Sequence, residues 1–187
     1  MRVVAGKFRG RALTAPPGLA TRPTADRVRQ AVFDVVAHAP FAPSLQGARV
    51  MDLFAGSGAL GIEALSRGAA FCLFVETDEQ ARGAIRTNLD ALGLIGAGRV
   101  HRRDATDLGL RPASDGTPFD VAFLDPPYGK RLGEAALMGL AAGGWLAPGA
   151  LAVLERGADE PLFALEGFEC VDQRGWGPAA VSFFRRI

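Results

Sequence analysis

Arg49-Val50-Met51-Asp52-Leu53-Phe54-Ala55-Gly56-Ser57-Gly58-Ala59-Leu60-Gly61 decides the fold of this chain. Val50 to Phe54 reads as a strand, and Leu60 to Leu65, with apolar spacing near 3.6, opens a helix. The glycines between them let backbone approach a ligand closely. The helix start offers free N–H groups and the positive end of a dipole. A second strand, Phe71-Cys72-Leu73-Phe74-Val75, ends in Glu76. That residue stands about twenty positions past Gly56, where an acidic group can bind ribose hydroxyls. Nicotinamide and S-adenosylmethionine enzymes would both show this much. Asp52, just ahead of the glycines, tilts the balance. A carboxylate there attracts an ammonium such as that of S-adenosylmethionine and repels a pyrophosphate. Phe54, Gly56 and Gly58 complete the candidate donor loop, and Asp104-Ala105, after the third strand at Val100-His101, can accept from an adenine amine.

Outward from this unit, strands and helices alternate. Strands are expected near 49–54, 71–75, 99–102, 119–124 and 149–155, and helices near 59–67, 78–92 and 131–143. Such alternation implies parallel strands with helices on both faces. Phe168 to Arg174 and Ala180 to Ile187 have no room for a helix between them, so they are expected to pair antiparallel. The fold class is therefore α/β and Rossmann-like, a mostly parallel seven-stranded sheet with a C-terminal antiparallel hairpin. Ligands of open α/β sheets bind outside the carboxyl ends of the strands. Asp52, Glu76, Asp104 and Asp125 each lie at or just after such an end.

Asp125-Pro126-Pro127-Tyr128 follows the apolar run Phe119 to Leu124. The prolines donate no N–H and fix φ, and Pro126 keeps Asp125 extended. Backbone carbonyls can then face outward. A carboxylate and a carbonyl can accept both hydrogens of an exocyclic amine, while Tyr128 stacks on the attached ring. A Pro-rich loop with a chance aromatic would leave this combination without work.

With 187 residues, 49% of them hydrophobic, the chain suits one α/β domain with an ample core. No apolar run approaches the roughly 18 residues of a membrane span, and the N-terminus lacks the apolar stretch of a signal peptide. Cys72 and Cys170 read as reduced, buried thiols in a cytoplasmic protein. No Cys/His grouping has metal spacing, and His101 reads as a strand-end residue. The net charge of +1 hides an asymmetry. Residues 1–35 hold Arg2, Lys7, Arg9, Arg11, Arg22, Arg27 and Arg29 against Asp26 and Asp34, an excess of +5 that leaves −4 for the remainder. A basic arm on a mildly acidic body fits contact with phosphates, which makes Lys7, Arg9, Arg11, Arg22, Arg27 and Arg29 candidate RNA contacts. Val3-Val4 and Ala12-Leu13 suggest a short β-hairpin exposing Phe8. Thr24 can cap a helix from about Ala25 to His38, whose stripe of Val28, Ala31, Val32 and Val35 packs on the sheet and leaves Arg27 and Arg29 outward. The arm, residues 1–45, and the body, 46–187, are expected to form one compact unit.

The chain resembles the bacterial 16S rRNA guanine-N2-methyltransferase family, a group of amino-methyltransferases with the Asp-Pro-Pro-Tyr signature. The resemblance rests on Met1 to Arg11, on Thr21-Arg22-Pro23-Thr24-Ala25-Asp26-Arg27-Val28-Arg29, on Asp52-Leu53-Phe54-Ala55-Gly56-Ser57-Gly58 and on Asp125 to Tyr128. It departs at Ser182-Phe183-Phe184, where a tyrosine is expected. It implies S-adenosylmethionine as donor and one 16S rRNA guanine of the small ribosomal subunit as acceptor; a class I methyltransferase fold, a monomer and no metal are expected alongside. Asp125, Pro126, Pro127 and Tyr128 would then be catalytic. Other amino-methyltransferases, acting on DNA adenine or protein glutamine, and a non-catalytic RNA-binding assembly factor are the alternatives.

Overall fold

A computed structural model describes residues 1–16 and 23–187, with backbone alone for residues 23–25. Seven strands form one sheet: β1 (Arg49–Leu53), β2 (Phe71–Val75), β3 (Gly98–His101), β4 (Phe119–Leu124), β5 (Leu146–Gly157), β6 (Phe168–Trp176) and β7 (Ala179–Arg186). Their order is β3-β2-β1-β4-β5-β7-β6. β1 to β5 pair in parallel, and β7 lies antiparallel between β5 and β6. The expected mixed sheet with its C-terminal hairpin is therefore present. β5 starts earlier than expected, at Leu146, and carries Pro148 and Gly149 within it. A register shift between Phe119 and Val121 on β4 accommodates that stretch.

Strand residues alternate between two cores, as the two-residue period requires. Val50, Cys72, Phe74, Val121, Phe123, Leu151 and Val153 face one core with α1 (Pro23–His38), α2 (Ala59–Ser66) and α3 (Glu79–Ala91). Met51, Leu73, Val75, Ala122, Leu124, Ala152 and Leu154 face the other with α4 (Leu132–Ala142) and the fully buried Trp145. Phe33 of α1 sits 5.0 Å from Phe123 of β4, ring to ring. Burying each such side chain stabilises the fold by roughly 1.5–3 kcal/mol. Cys72 is buried and Cys170 only half-buried, and both are free.

The N-terminal segment forms the expected hairpin in short form, with one antiparallel bridge, Arg2 with Ala12, and backbone bonds from Val3 N to Arg11 O (2.9 Å), Leu13 N to Met1 O (3.0 Å) and Gly10 N to Val3 O (2.9 Å). It draws further hydrogen bonds from α2. Glu63, 1% exposed, accepts from the N–H groups of Val4 (2.8 Å) and Ala5 (2.9 Å). Ser66 accepts from Phe8 N through its hydroxyl and from Lys7 N through its carbonyl. A Cβ on Gly6 would stand 2.0 Å from the Ser66 carbonyl oxygen, so only glycine allows this approach. Phe8, expected to be exposed, is half-buried against the core. Further along, Asn88 of α3 bonds both the N–H (2.7 Å) and the carbonyl (2.9 Å) of Thr14, and also donates to the Ser57 carbonyl (3.0 Å).

Candidate functional site

Three of the predicted acids converge where the sheet order reverses. β1 and β4 are neighbours, with Leu53 opposite Leu124, and the chain leaves the sheet in opposite lateral directions on either side of them. The crevice above this pair receives Asp52, Glu76 and Asp125. Each is close enough to influence another: the charges of Asp125 and Glu76 both act on Asp52.

The first wall is the loop between β1 and α2. Phe54 takes φ 58°, and Gly56 and Gly58 take 53° and 78°. A left-handed phenylalanine is strained, a feature concentrated at functional loops. Gly58 stands at the N-cap of α2 and contributes no side-chain cap. Asp52 does that work from the strand, its Oδ2 accepting from Gly61 N at 2.8 Å. Asp52 is 1% exposed. Burial, partly offset by that N–H, pushes its carboxyl well above the usual range. Gly61 serves packing: a Cβ there would lie 2.4 Å from the Phe74 ring and 2.5 Å from the Cys72 sulfur. Glu76 ties the loop to β2, with Oε2 accepting from Gly56 N and Oε1 from Asp78 N, both at 2.8 Å. Asp104 is exposed and turns its Oδ1 to Thr106 N (2.8 Å) and the Thr106 hydroxyl (2.7 Å), which holds its carboxyl below the usual range. Ala105 beside it is buried.

The second wall is Asp125-Pro126-Pro127-Tyr128. Asp125 N reaches Leu53 O at 3.5 Å, the last link between this segment and β1. Among the described residues, the Asp125 carboxylate and the Pro126 and Pro127 carbonyls accept no hydrogen bond. Asp125 is open to solvent on one side, while protein fills most of the volume around its carboxyl. That desolvation, with the Glu155 charge second, raises it to about 7. Tyr128 is 46% exposed, its hydroxyl donating to Glu155 Oε1 at 2.6 Å. Burial of the phenol and this bond push its ionisation above the ordinary value. Gly129 N donates to Glu160 at 2.5 Å. Arg131, at φ 52°, opens α4 just beyond.

Glu155 was not anticipated. Its signal was the one already used for four other acids, a carboxylate at the end of an apolar strand run, here Leu151 to Leu154.

A cluster of carboxylates that raise one another's proton affinity disfavours an anion and favours a cation. The glycine loop therefore does not fit a pyrophosphate. It fits a ligand with positive charge near Asp52 and hydroxyls near Glu76. Among the described residues, no group of three or more His, Cys, Asp or Glu side chains is placed to hold a metal ion. His101 ends β3, half-buried, 3.9 Å from Asp115.

Of the arm's predicted RNA contacts, Lys7, Arg9, Arg11 and Arg27 are exposed. The Arg11 guanidinium donates to Ala91 O. Arg22 lies outside the described residues. Arg29 corrects the expectation. It is 5% exposed, not outward, because its guanidinium bonds Arg2 O (2.6 Å) and Asp26 (2.9 Å) and lies 3.8 Å from buried Glu63. A buried carboxylate needs compensating positive charge, and Arg29 and Arg67 supply it.

Residues 1–185 match the family described as conserved hypothetical protein 95. The Ribosomal RNA small subunit methyltransferase D of Escherichia coli K12 is 38% identical over 162 residues, which is 87% of this chain and 77% of that protein. The protein of the same name from Haemophilus influenzae is 34% identical over 178 residues, 95% of this chain and 89% of that one. The solved structure of yhhF from Escherichia coli superposes with a TM-score of 0.84 at 35% identity, covering 100% of this chain and 97% of that one.

Proposed function

Because the chain belongs to the conserved hypothetical protein 95 family, we propose that it methylates the exocyclic N2 amine of a guanine in 16S rRNA, with S-adenosylmethionine as donor. The observation that carries this reading is Asp125: a carboxylate without a hydrogen-bond partner among the described residues, at a strand end beside a glycine loop lined with acids. The names of the two curated relatives support rRNA of the small subunit as the substrate class.

Asp52, Phe54, Gly56, Gly58, Glu76, Asp104 and Ala105 would hold the donor. When bound, the donor supplies an electrophilic methyl group on a sulfonium. The acidic crevice suits that positive charge. Glu76 can turn an oxygen to ribose hydroxyls, while Asp52, too deeply buried to reach far, keeps the glycine turn in shape through Gly61.

The protein's part in the reaction is positioning and proton acceptance. A guanine amine is a poor nucleophile because its lone pair is delocalised into the ring. Asp125 and the Pro126 carbonyl would accept its two hydrogens and free the lone pair for in-line attack on the methyl carbon. The carbon–sulfur bond breaks as the nitrogen–carbon bond forms, and its electron pair leaves with the sulfur. The nitrogen gains positive charge and its proton becomes acidic. A carboxylate whose proton affinity is raised to about 7 can accept that proton better than an ordinary one. The target base must leave its stack, at a cost of a few kcal/mol, and the exposed Tyr128 ring would receive it. Lys7, Arg9 and Arg27 would contact flanking phosphates. With so small an arm, recognition should rest on the shape of an assembled or partly assembled particle.

The test uses small subunits and naked 16S rRNA from cells lacking the enzyme, incubated with isotopically labelled S-adenosylmethionine. Mass-spectrometric mapping should find the label on guanine N2, with particles preferred by roughly a hundredfold in specificity constant, the equivalent of a few kcal/mol of ordering and unstacking. Label on adenine or on protein, or no transfer at all, would overturn the reading.

A further inference from the structure

We propose that Glu155 selects guanine: its Oε1 fixes Tyr128, and its Oε2 accepts the N1–H of the acceptor ring. This inference rests on the reading of the site just given.

The placement follows from the sheet. β4 and β5 are parallel, with Leu124 opposite Leu154. Asp125 and Glu155 are therefore the next residues out on adjacent strands, about 4.8 Å apart along the backbone. Residues in register on neighbouring strands share a face of the sheet, so two carboxylates leave the same edge side by side. Glu155 is half-buried and commits one oxygen to the Tyr128 hydroxyl at 2.6 Å. Among the described residues, its second oxygen accepts no hydrogen bond. Burial is the larger cause of the raised proton affinity of Asp125, and the Glu155 charge adds to it.

A pair of adjacent acceptors is relieved by a ligand with adjacent donors. Guanine presents N1–H directly beside its N2 amine. Adenine presents a bare N1 beside its amine, and cytosine a bare N3. Either would set a lone pair against the Glu155 charge. Sites built to hydrogen-bond a particular N–H reject analogues lacking it far more strongly than apolar pockets reject a size change. Tyr128, held by the same carboxylate, stacks the ring whose edge Glu155 reads. Recognition of the base and orientation of its amine are thereby joined in one side chain.

The experiment uses small subunits reconstituted with 16S rRNA carrying either guanosine or 2-aminopurine riboside at the mapped target. The analogue keeps the N2 amine but has a bare N1. Wild-type enzyme should show a kcat/KM at least tenfold lower on the analogue. Glu155→Gln can still accept from Tyr128 through its carbonyl and can donate its amide N–H to a bare N1. It should narrow the ratio by tenfold or more. Tyr128→Phe, which removes the hydroxyl and leaves Oε2, should keep the ratio within a few-fold of wild type. Calorimetric titration with S-adenosylhomocysteine shows that each variant is folded with its donor site intact. An unchanged ratio in Glu155→Gln, or a wild-type enzyme that accepts both bases equally, overturns the role of Glu155 alone. Failure of wild type to methylate the guanosine-bearing particle brings down the function and this inference together.

Discussion

The two walls of the crevice treat their carboxylates in opposite ways. On the donor side, Asp52, Glu76 and Asp104 already accept from Gly61, Gly56, Asp78 and Thr106 in their own loops. On the acceptor side, Asp125 has no such partner among the described residues and faces the Glu155 charge. Charge-assisted bonds to backbone N–H groups order a loop before any ligand arrives. An unpartnered, partly desolvated carboxylate does the reverse. It holds interaction energy that is realised only when the reacting amine is present, the condition for raising turnover and not merely affinity. One wall is a finished mould, and the other is left short of hydrogen bonds.

The largest effect expected from this contrast is at Asp125. Asp125→Ala should keep S-adenosylhomocysteine affinity within a few-fold while turnover falls on the order of a hundredfold or more, as when one preorganised contact to a developing charge is removed. Asp125→Asn should retain part of the rate, since its carbonyl still accepts one hydrogen bond. Single-turnover kinetics with saturating particles decide it, and a wild-type rate in Asp125→Ala would end the acceptor assignment.

Next come the donor-side acids. Glu76→Ala and Asp52→Ala each remove charge-assisted bonds to the glycine loop, a loss of about 1.5–3 kcal/mol. Donor binding should weaken roughly tenfold or more, seen by calorimetric titration. Unaltered affinity in both variants would mean that the loop keeps its shape without them.

The pH profile sharpens the same contrast. Asp125 accepts only when ionised, so turnover should rise with pH through a limb near 7. Glu155→Gln removes a neighbouring negative charge and should move that limb to lower pH. The folded protein holds the Asp125 proton more tightly than the unfolded chain. Stability tied to that proton therefore falls as pH rises from the ordinary value of 3.8 to about 7. Thermal unfolding across this window should show a shallower slope in Asp125→Asn.

The smallest effect belongs to the arm. Single-stranded phosphate contacts contribute a slope of about −0.7 each in log affinity against log salt. Replacing Lys7 and Arg9 with alanine should flatten the slope for particle binding by roughly 1.4. Retention of the full slope would reassign these charges to solvent.

Periodicity and strand-end chemistry made the sheet, its helices and four of its acids legible from the sequence, because those signals are local. β5 was read short because Pro148 and Gly149 look like a boundary, and only the register shift with Phe119 shows otherwise. The burial of Arg29 has a distant cause, Glu63. A carboxylate on α2 that satisfies Val4 and Ala5 and draws in Arg29 leaves no mark near residue 29. Glu155 could have been found, since its position repeats the pattern of Asp125. Its importance shows only when β4 and β5 are placed side by side.

The long reach of the arm's anchors also sets a timetable. Val4 and Ala5 wait for Glu63, 59 and 58 residues later, and Thr14 waits for Asn88, 74 residues later. At the usual 5–20 residues per second of synthesis, the last of these intervals is roughly four to fifteen seconds. A segment made before α2 and α3 thus waits for them before its anchors are complete. During refolding, amide exchange at Val4 and Ala5 should become protected only after α2 and α3 have formed, so the arm that is proposed to meet RNA is also the closing step in making the enzyme.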